Sequence, residues 1–181
     1  MLLSSVIHRH STNTENSDEI PFKSTLKRVF LYGTLKTGEK NHHLLQCNGN
    51  GISKFMCKAI TCIKMPLVVA THYNIPFLLN KPGVGYNVKG EIYEVDDQML
   101  KVLDRLEDVG NFYDRETIIF DVLDSNHKES VEAFVYVLNK YPAGLLNESM
   151  MSDYRHCHVK RYISPKDRRH GTSKELLWKE Y

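Results

Sequence analysis

Apolar and polar positions alternate along this chain in short segments, most of them too brief for helices. Val29-Phe30-Leu31-Tyr32 is an apolar run closed by Gly33, the pattern of a buried strand entering a turn. Lys54 to Ile63 sets β-branched and apolar residues between turn signals, and Leu67-Val68-Val69 and Ile75 to Leu79 predict further short strands. Lys81-Pro82-Gly83-Val84-Gly85 is a loop by its dipeptides. Asn87 to Val95 alternates, with Val88, Gly90 and Ile92 on one side and Lys89, Glu91 and Tyr93 on the other. Helical spacing is clearest after Asp96, a good N-cap followed by Asp97 in the first turn and by Leu100, Leu103 and Leu106. Asn41 is expected to cap a shorter helix through His42-His43-Leu44-Leu45. Arg115 to Leu123 and Val131 to Leu138 predict a hairpin turning over Asp124 to Lys128. Beyond Pro142 and Gly144 the pattern decays into one weak helix and a polar tail. Strands outnumber helices and no repeat is visible, so the fold class is α+β: a small mixed, barrel-like sheet with a few short helices.

At 181 residues the chain is one domain with loose ends. Residues 1–27 are rich in Ser, Thr, Asn and charge without periodicity and read as a flexible leader. Residues 28–145 form the structured domain, and 146–181 a weakly helical, basic C-terminal tail. The formal net charge is only +2, too little to argue for nucleic acid. It is also uneven: Asp153 to Tyr181 carries eight Lys/Arg against four Asp/Glu, which leaves the body faintly acidic. Lacking aromatic platforms or zinc-finger spacing, this tail is expected to be a solvated terminus. Cys47, Cys57, Cys62 and Cys157 include no C-x-x-C pair, and a chain this rich in core residues needs no disulfides. No secretory signal or membrane-length apolar run is present, so a cytoplasmic monomer with reduced thiols is expected.

Two places could carry chemistry. The turn Tyr32-Gly33-Thr34-Leu35-Lys36-Thr37-Gly38 follows a buried strand, where glycine lets the backbone turn and offer N–H groups to a ligand. It is no phosphate loop, because Glu39 stands where the G-x-x-x-x-G-K-[ST] lysine would be. A plain strand-to-helix connection is the alternative. Glu107 continues the apolar stripe of Leu100 and Leu103 and lies near the helix C-terminus. Desolvation and the helix dipole would both raise its pKa, suiting it to general-base chemistry near neutral pH. The alternative is a helix that ends a residue early, with Glu107 a wet surface acid. Nearby Arg115 could orient a substrate carboxylate or form a structural ion pair entering the next strand. His42 and His43 point to different helix faces and lack H-E-x-x-H or cysteine partners, so no metal site is expected.

The segments Val29 to Lys36, Gly38, Asn41-His42-His43, Pro66-Leu67-Val68 and Asn74-Ile75-Pro76-Phe77 keep a characteristic order and spacing with those further on. The later ones are Pro82-Gly83, Gly90-Glu91-Ile92-Tyr93, Leu103-Asp104, Leu106-Glu107 and Tyr113-Asp114-Arg115. Together, over about residues 28–140, they resemble the γ-glutamylcyclotransferase-like family, and within it the γ-glutamylamine cyclotransferases. The resemblance implies an enzyme that closes a γ-glutamyl group on itself, releasing 5-oxoproline and a free amine. A γ-glutamyl-lysine isopeptide is one such substrate. No cofactor or metal is needed, because the nucleophile is intramolecular. By the same resemblance Glu107 is the catalytic proton acceptor and Tyr32, Gly33, Thr34 and Leu35 cradle the glutamyl part. Tyr113, Arg115 and Tyr136 are further pocket residues. Cyclisation of γ-glutamyl-α-amino acids or glutathione, or a non-catalytic binding module on the same fold, are the competing readings.

Overall fold

The structure is a computed structural model and describes residues 25–125, 127–156, 162–163, 167–168 and 172–181. Nearly all of the proposed leader, the middle of the predicted hairpin turn at Asn126, and Cys157 lie outside the described residues.

Five strands close into a barrel in the order β1-β5-β2-β6-β7: β1 Lys27–Leu31, β5 Lys89–Val95, β2 Ser53–Thr61, β6 Asp114–Val122 and β7 Ser130–Val137. All neighbours pair antiparallel except β1 and β7, which close the barrel in parallel at Val29 and Phe134. A small sheet flanks it, with β3 Leu67–Ala70 between β4 Ile75–Leu78 and β8 Met150–Met151. The predicted strands and the β6–β7 hairpin are therefore present, and the α+β, barrel-like class holds. The two-residue β8 has no sequence signature of its own and exists by pairing with Leu67 and Val68.

The barrel interior is filled by side chains that alternate along the strands. Phe30 and Phe120 stack with ring centroids 4.1 Å apart, although β1 and β6 are not neighbours, so their rings meet across the interior. Gly90 makes this possible: a Cβ there would lie 2.4 Å from the Phe30 ring. The opposite faces of β1 and β5, with Val29, Leu31, Tyr93 and Val95, join Met99, Leu100 and Leu103 of α2 (Asp97–Leu106) in a second core. Alternation along β5 thus buries both faces, and Glu91, on the side shared with Lys89 and Tyr93, is 6% exposed. It stays satisfied by accepting hydrogen bonds from the Thr37 N–H and hydroxyl and from the Tyr93 hydroxyl.

Two local expectations are corrected. Helix α1 runs His43–Gln46 with His42 as N-cap and no side-chain cap, and Asn41 is buried and used elsewhere. The C-terminal tail is not a solvated terminus. Tyr154 and Leu177 are fully buried, and helix α3, Ser173–Glu180, is opened by a Thr172–Glu175 capping box. The weakly helical character expected of the tail is present here, but adjacent Leu176 and Leu177 bury the helix without a periodic stripe, which is why the pattern did not reveal that it packs. Asp153 pairs with Lys36, whose side chain is 1% exposed, and His156 donates its N–H to Glu39, so the tail grips the loop after β1. Among the described residues no helix is long and apolar enough to cross a membrane.

Candidate active site

The loop after β1 and the end of α2 meet at one cleft. Asp96 caps α2 as expected, accepting from the Met99 N–H at 2.8 Å. At the other end the N–H of Asp108 bonds the Arg105 carbonyl and that of Val109 bonds the Asp104 carbonyl. This is the Schellman pattern, with Asp108 in the left-handed region at φ 52 where glycine or asparagine is usual. It stops the helix at Leu106 and fixes Glu107 as the C-cap residue. The helix does end before Glu107, as the alternative reading supposed, yet Glu107 is half-buried and lines the cleft. Loss of hydration pushes its carboxyl up to about 7, and the positive charge of Arg168 opposes that rise.

Tyr32, Gly33 and Thr34 form the facing wall. Gly33 does not use the left-handed backbone region; its need for glycine is spatial, since a Cβ would sit 3.0 Å from Pro76 Cγ. No described residue accepts a hydrogen bond from the N–H of Gly33, Thr34 or Leu35, which leaves three backbone donors on the loop. The loop is held from behind, where Asn41 donates its N–H to the Thr34 carbonyl at 2.9 Å and its side-chain amide to the Thr34 hydroxyl at 3.0 Å. The same amide donates to the Tyr162 hydroxyl at 3.0 Å, tying the loop to the C-terminal segment.

Tyr113 and Tyr136 complete the inner wall. The Tyr32 hydroxyl donates to the Tyr136 carbonyl at 3.0 Å, and the Tyr136 hydroxyl donates to Asp104 at 2.9 Å. Burial holds the Tyr32 and Tyr113 phenols protonated well above their ordinary range, and the Glu107 charge acts in the same direction.

The cleft encloses about 440 Å³, within the range of small-molecule sites. Of the residues singled out in the sequence, it brings together Glu107, Tyr32, Gly33, Thr34, Tyr113 and Tyr136. Leu35 and Arg115 do not line it. Leu35 is buried in the core. Arg115 pairs with Asp104 and lies 4.7 Å above the Phe134 ring, because the β6–β7 register sets it beside Tyr136 on the strand flank. Its contact with the cleft is indirect, through Asp104 to the Tyr136 hydroxyl. Sequence reasoning missed Arg168, Tyr162 and the Thr172–Lys174 turn, which build the remaining wall from the basic tail. Nothing in their spacing ties them to a helix sixty residues upstream. Among the described residues no group of His, Cys, Asp and Glu is arranged to hold a metal ion.

Comparison with known proteins places the chain in a family. A Drosophila melanogaster protein named Troponin C-akin-1 is 50% identical over 147 residues, 81% of this chain and 87% of its own length. A mouse γ-glutamylaminecyclotransferase is 42% identical over 120 residues, 64% of this chain and 80% of that protein. The crystal structure of a mouse AIG2-like protein superposes with a TM-score of 0.75 at 38% identity, covering 79% of this chain and 99% of the other. The profile of the γ-glutamyl cyclotransferase, AIG2-like family spans residues 29–156, from β1 to the segment that grips its loop, and the chain belongs to that family.

Proposed function

We propose that this protein is a γ-glutamylamine cyclotransferase in which Glu107 is the acid–base group. One observation carries the reading: a carboxyl lifted to about 7 lies in the same cleft as a loop whose backbone N–H groups have no acceptor among the described residues. A carboxylate of that pKa is substantially ionised at neutral pH yet basic enough to accept a proton.

The substrate's α-ammonium gives a proton to the Glu107 carboxylate. The freed amine attacks the side-chain carbonyl carbon of the same glutamyl group, forming the ring C–N bond. Negative charge gathers on the carbonyl oxygen, where preorganised N–H donors of the Gly33–Leu35 loop stabilise it without reorganising. The C–N bond to the departing amine then breaks as its nitrogen takes the proton back from Glu107. The ring nitrogen, left with two protons by the attack, also gives one up through Glu107 to the departing nitrogen, so the products are 5-oxoproline and the amine in its ammonium form, and the Glu107 carboxylate is regenerated. Much of the rate comes from holding the two reacting ends of one molecule in place. Tyr32, Tyr113 and Tyr136, kept protonated, shape the pocket around the glutamyl chain and exclude water.

The choice of γ-glutamylamines over glutathione or γ-glutamyl-α-amino acids rests on the mouse relative and on a C-terminal wall that continues the cleft beyond the glutamyl site. The same reading takes the protein as a cytoplasmic monomer acting on a small molecule, in keeping with the free thiols of Cys47, Cys57 and Cys62. The test is 5-oxoproline release from a panel of γ-glutamyl-lysine, γ-glutamyl-alanine and glutathione. The highest kcat/KM is expected for γ-glutamyl-lysine. Preference for glutathione would overturn the substrate class, and release from none would make the protein a binding module.

A further inference from the structure

The cleft has a cation that this mechanism does not use. Arg168 is half-buried on the wall built from the C-terminal segment. Its position is fixed on several sides: its guanidinium lies 5.1 Å from the centroid of the Tyr73 ring and 5.8 Å from that of Tyr162. Its Nε donates to the Ile163 carbonyl at 3.2 Å, one terminal nitrogen donates to the Ser173 hydroxyl, and the other lies 3.4 Å from the Tyr162 hydroxyl. A guanidinium has five N–H donors, so one on each terminal nitrogen is left over among the described residues. No described carboxylate is within ion-pair distance of it.

The glutamyl half of a substrate already has its partners, in the loop N–H groups and Glu107. A cleft of about 440 Å³ holds more than a five-membered oxoproline ring, so the rest of the space receives the departing amine. The wall there carries two cations. Lys174 is exposed and spends its ammonium on the Asn111 carbonyl, whereas Arg168 is held half-buried, where a charge is screened less. A rigid, partly desolvated guanidinium with donors to spare matches a carboxylate.

We propose that Arg168 binds a carboxylate on the amine half of the substrate, so that among γ-glutamylamines those whose leaving amine carries a carboxylate at the far end of its chain, as lysine joined through its side chain does, are preferred. This rests on the cyclotransferase reading above and adds the leaving-group specificity to it. Arg168 is then a specificity-determining residue, brought to the site by the tail.

The experiment compares γ-glutamyl-lysine, joined through the lysine side chain, with its decarboxylated counterpart γ-glutamyl-1,5-diaminopentane. Both are followed by 5-oxoproline release in the wild type, Arg168→Gln and Arg168→Lys. Removing the guanidinium should cut kcat/KM for γ-glutamyl-lysine by roughly 10- to 100-fold beyond any change for the decarboxylated substrate. Arg168→Lys should recover part of that difference, since charge returns without the fork. Any effect of Arg168 on Glu107 or on folding acts on both substrates and cancels in the ratio. Equal losses on the two substrates, or no loss on either, would overturn the assignment. Calorimetric Kd values for both ligands on Glu107→Gln, with and without Arg168→Gln, give the same comparison without turnover. A carboxylate-dependent affinity lost with Arg168 supports the inference even if no substrate is turned over, and its absence refutes the inference even if cyclotransferase activity is present.

Discussion

Replacing Glu107 by glutamine separates a catalytic carboxylate from a structural one, because the two roles give opposite signs of stability. The fold raises the Glu107 pKa from 4.5 to about 7, so it binds the proton more tightly than the unfolded chain does. Between those values the native state holds more protons than the unfolded state, and stability falls as pH rises through the window. At 1.36 kcal/mol per unit, the ionised carboxylate costs the fold about 3 kcal/mol once fully charged. Glutamine keeps the shape and hydrogen-bonding capacity but never ionises. Urea melts should therefore give equal stabilities for Glu107→Gln and wild type near pH 4. The variant should gain progressively to about 3 kcal/mol by about pH 8, or roughly 6–12 °C in Tm for a chain of this size. At pH 8, where Glu107 is ionised in the wild type, turnover should fall by roughly 10²–10⁴-fold. A variant less stable than wild type at pH 8 would mean that Glu107 makes a favourable ion pair in the native state, and would refute the desolvated-base argument.

Three further outcomes follow from the surroundings of the cleft. Asp153→Asn strands the buried ammonium of Lys36 and should cost about 3 kcal/mol in denaturant melts, whereas a shift under 0.5 kcal/mol (about the size of a neutral surface change) would show that the tail does not grip the loop. Asn41→Ala removes the brace behind Thr34 and the link to Tyr162; KM for γ-glutamyl-lysine should rise more than kcat falls, and a pure kcat effect would contradict a binding role for the loop. Exhaustive dialysis against a chelator should leave turnover unchanged, and recovery that depends on an added divalent metal would contradict a metal-free mechanism.

The barrel strands were legible because their signals are local: Val29 to Tyr32 is an apolar run and β6 and β7 flank an evident turn. Helix α2 was legible for the same reason, through Asp96 and its leucine spacing. What was illegible depends on contacts distant in sequence. Glu91 looks like a solvent-facing residue until Thr37 and Tyr93 are placed against it. Asn41 looks like a helix cap, but the carbonyl and hydroxyl of Thr34 and the Tyr162 hydroxyl compete successfully for its donors. The stop of α2 was hidden because Asp108, and not glycine, takes the left-handed position. In the site, Glu107 could be suspected from its place on the apolar stripe, and Tyr32 to Thr34 from the strand-to-turn pattern. Arg115 could not be assigned, since either reading of an arginine beside a helix end fits the sequence and only the β6–β7 register commits it to Asp104. Arg168 was beyond reach, because a basic tail with two adjacent leucines has no periodicity to say that it folds back over the cleft.

The central claim, that Glu107 moves the proton in a γ-glutamyl cyclisation, is tested most directly by the pH dependence of kcat/KM for 5-oxoproline release from γ-glutamyl-lysine. The base must be ionised in the free enzyme, so the rate should climb tenfold per pH unit on the acid side and bend at about 7, the pKa of Glu107. In Glu107→Gln that limb should vanish along with most of the rate. A profile that is already flat from pH 5 upward in the wild type, or a limb at about 7 that survives in Glu107→Gln, would contradict the account.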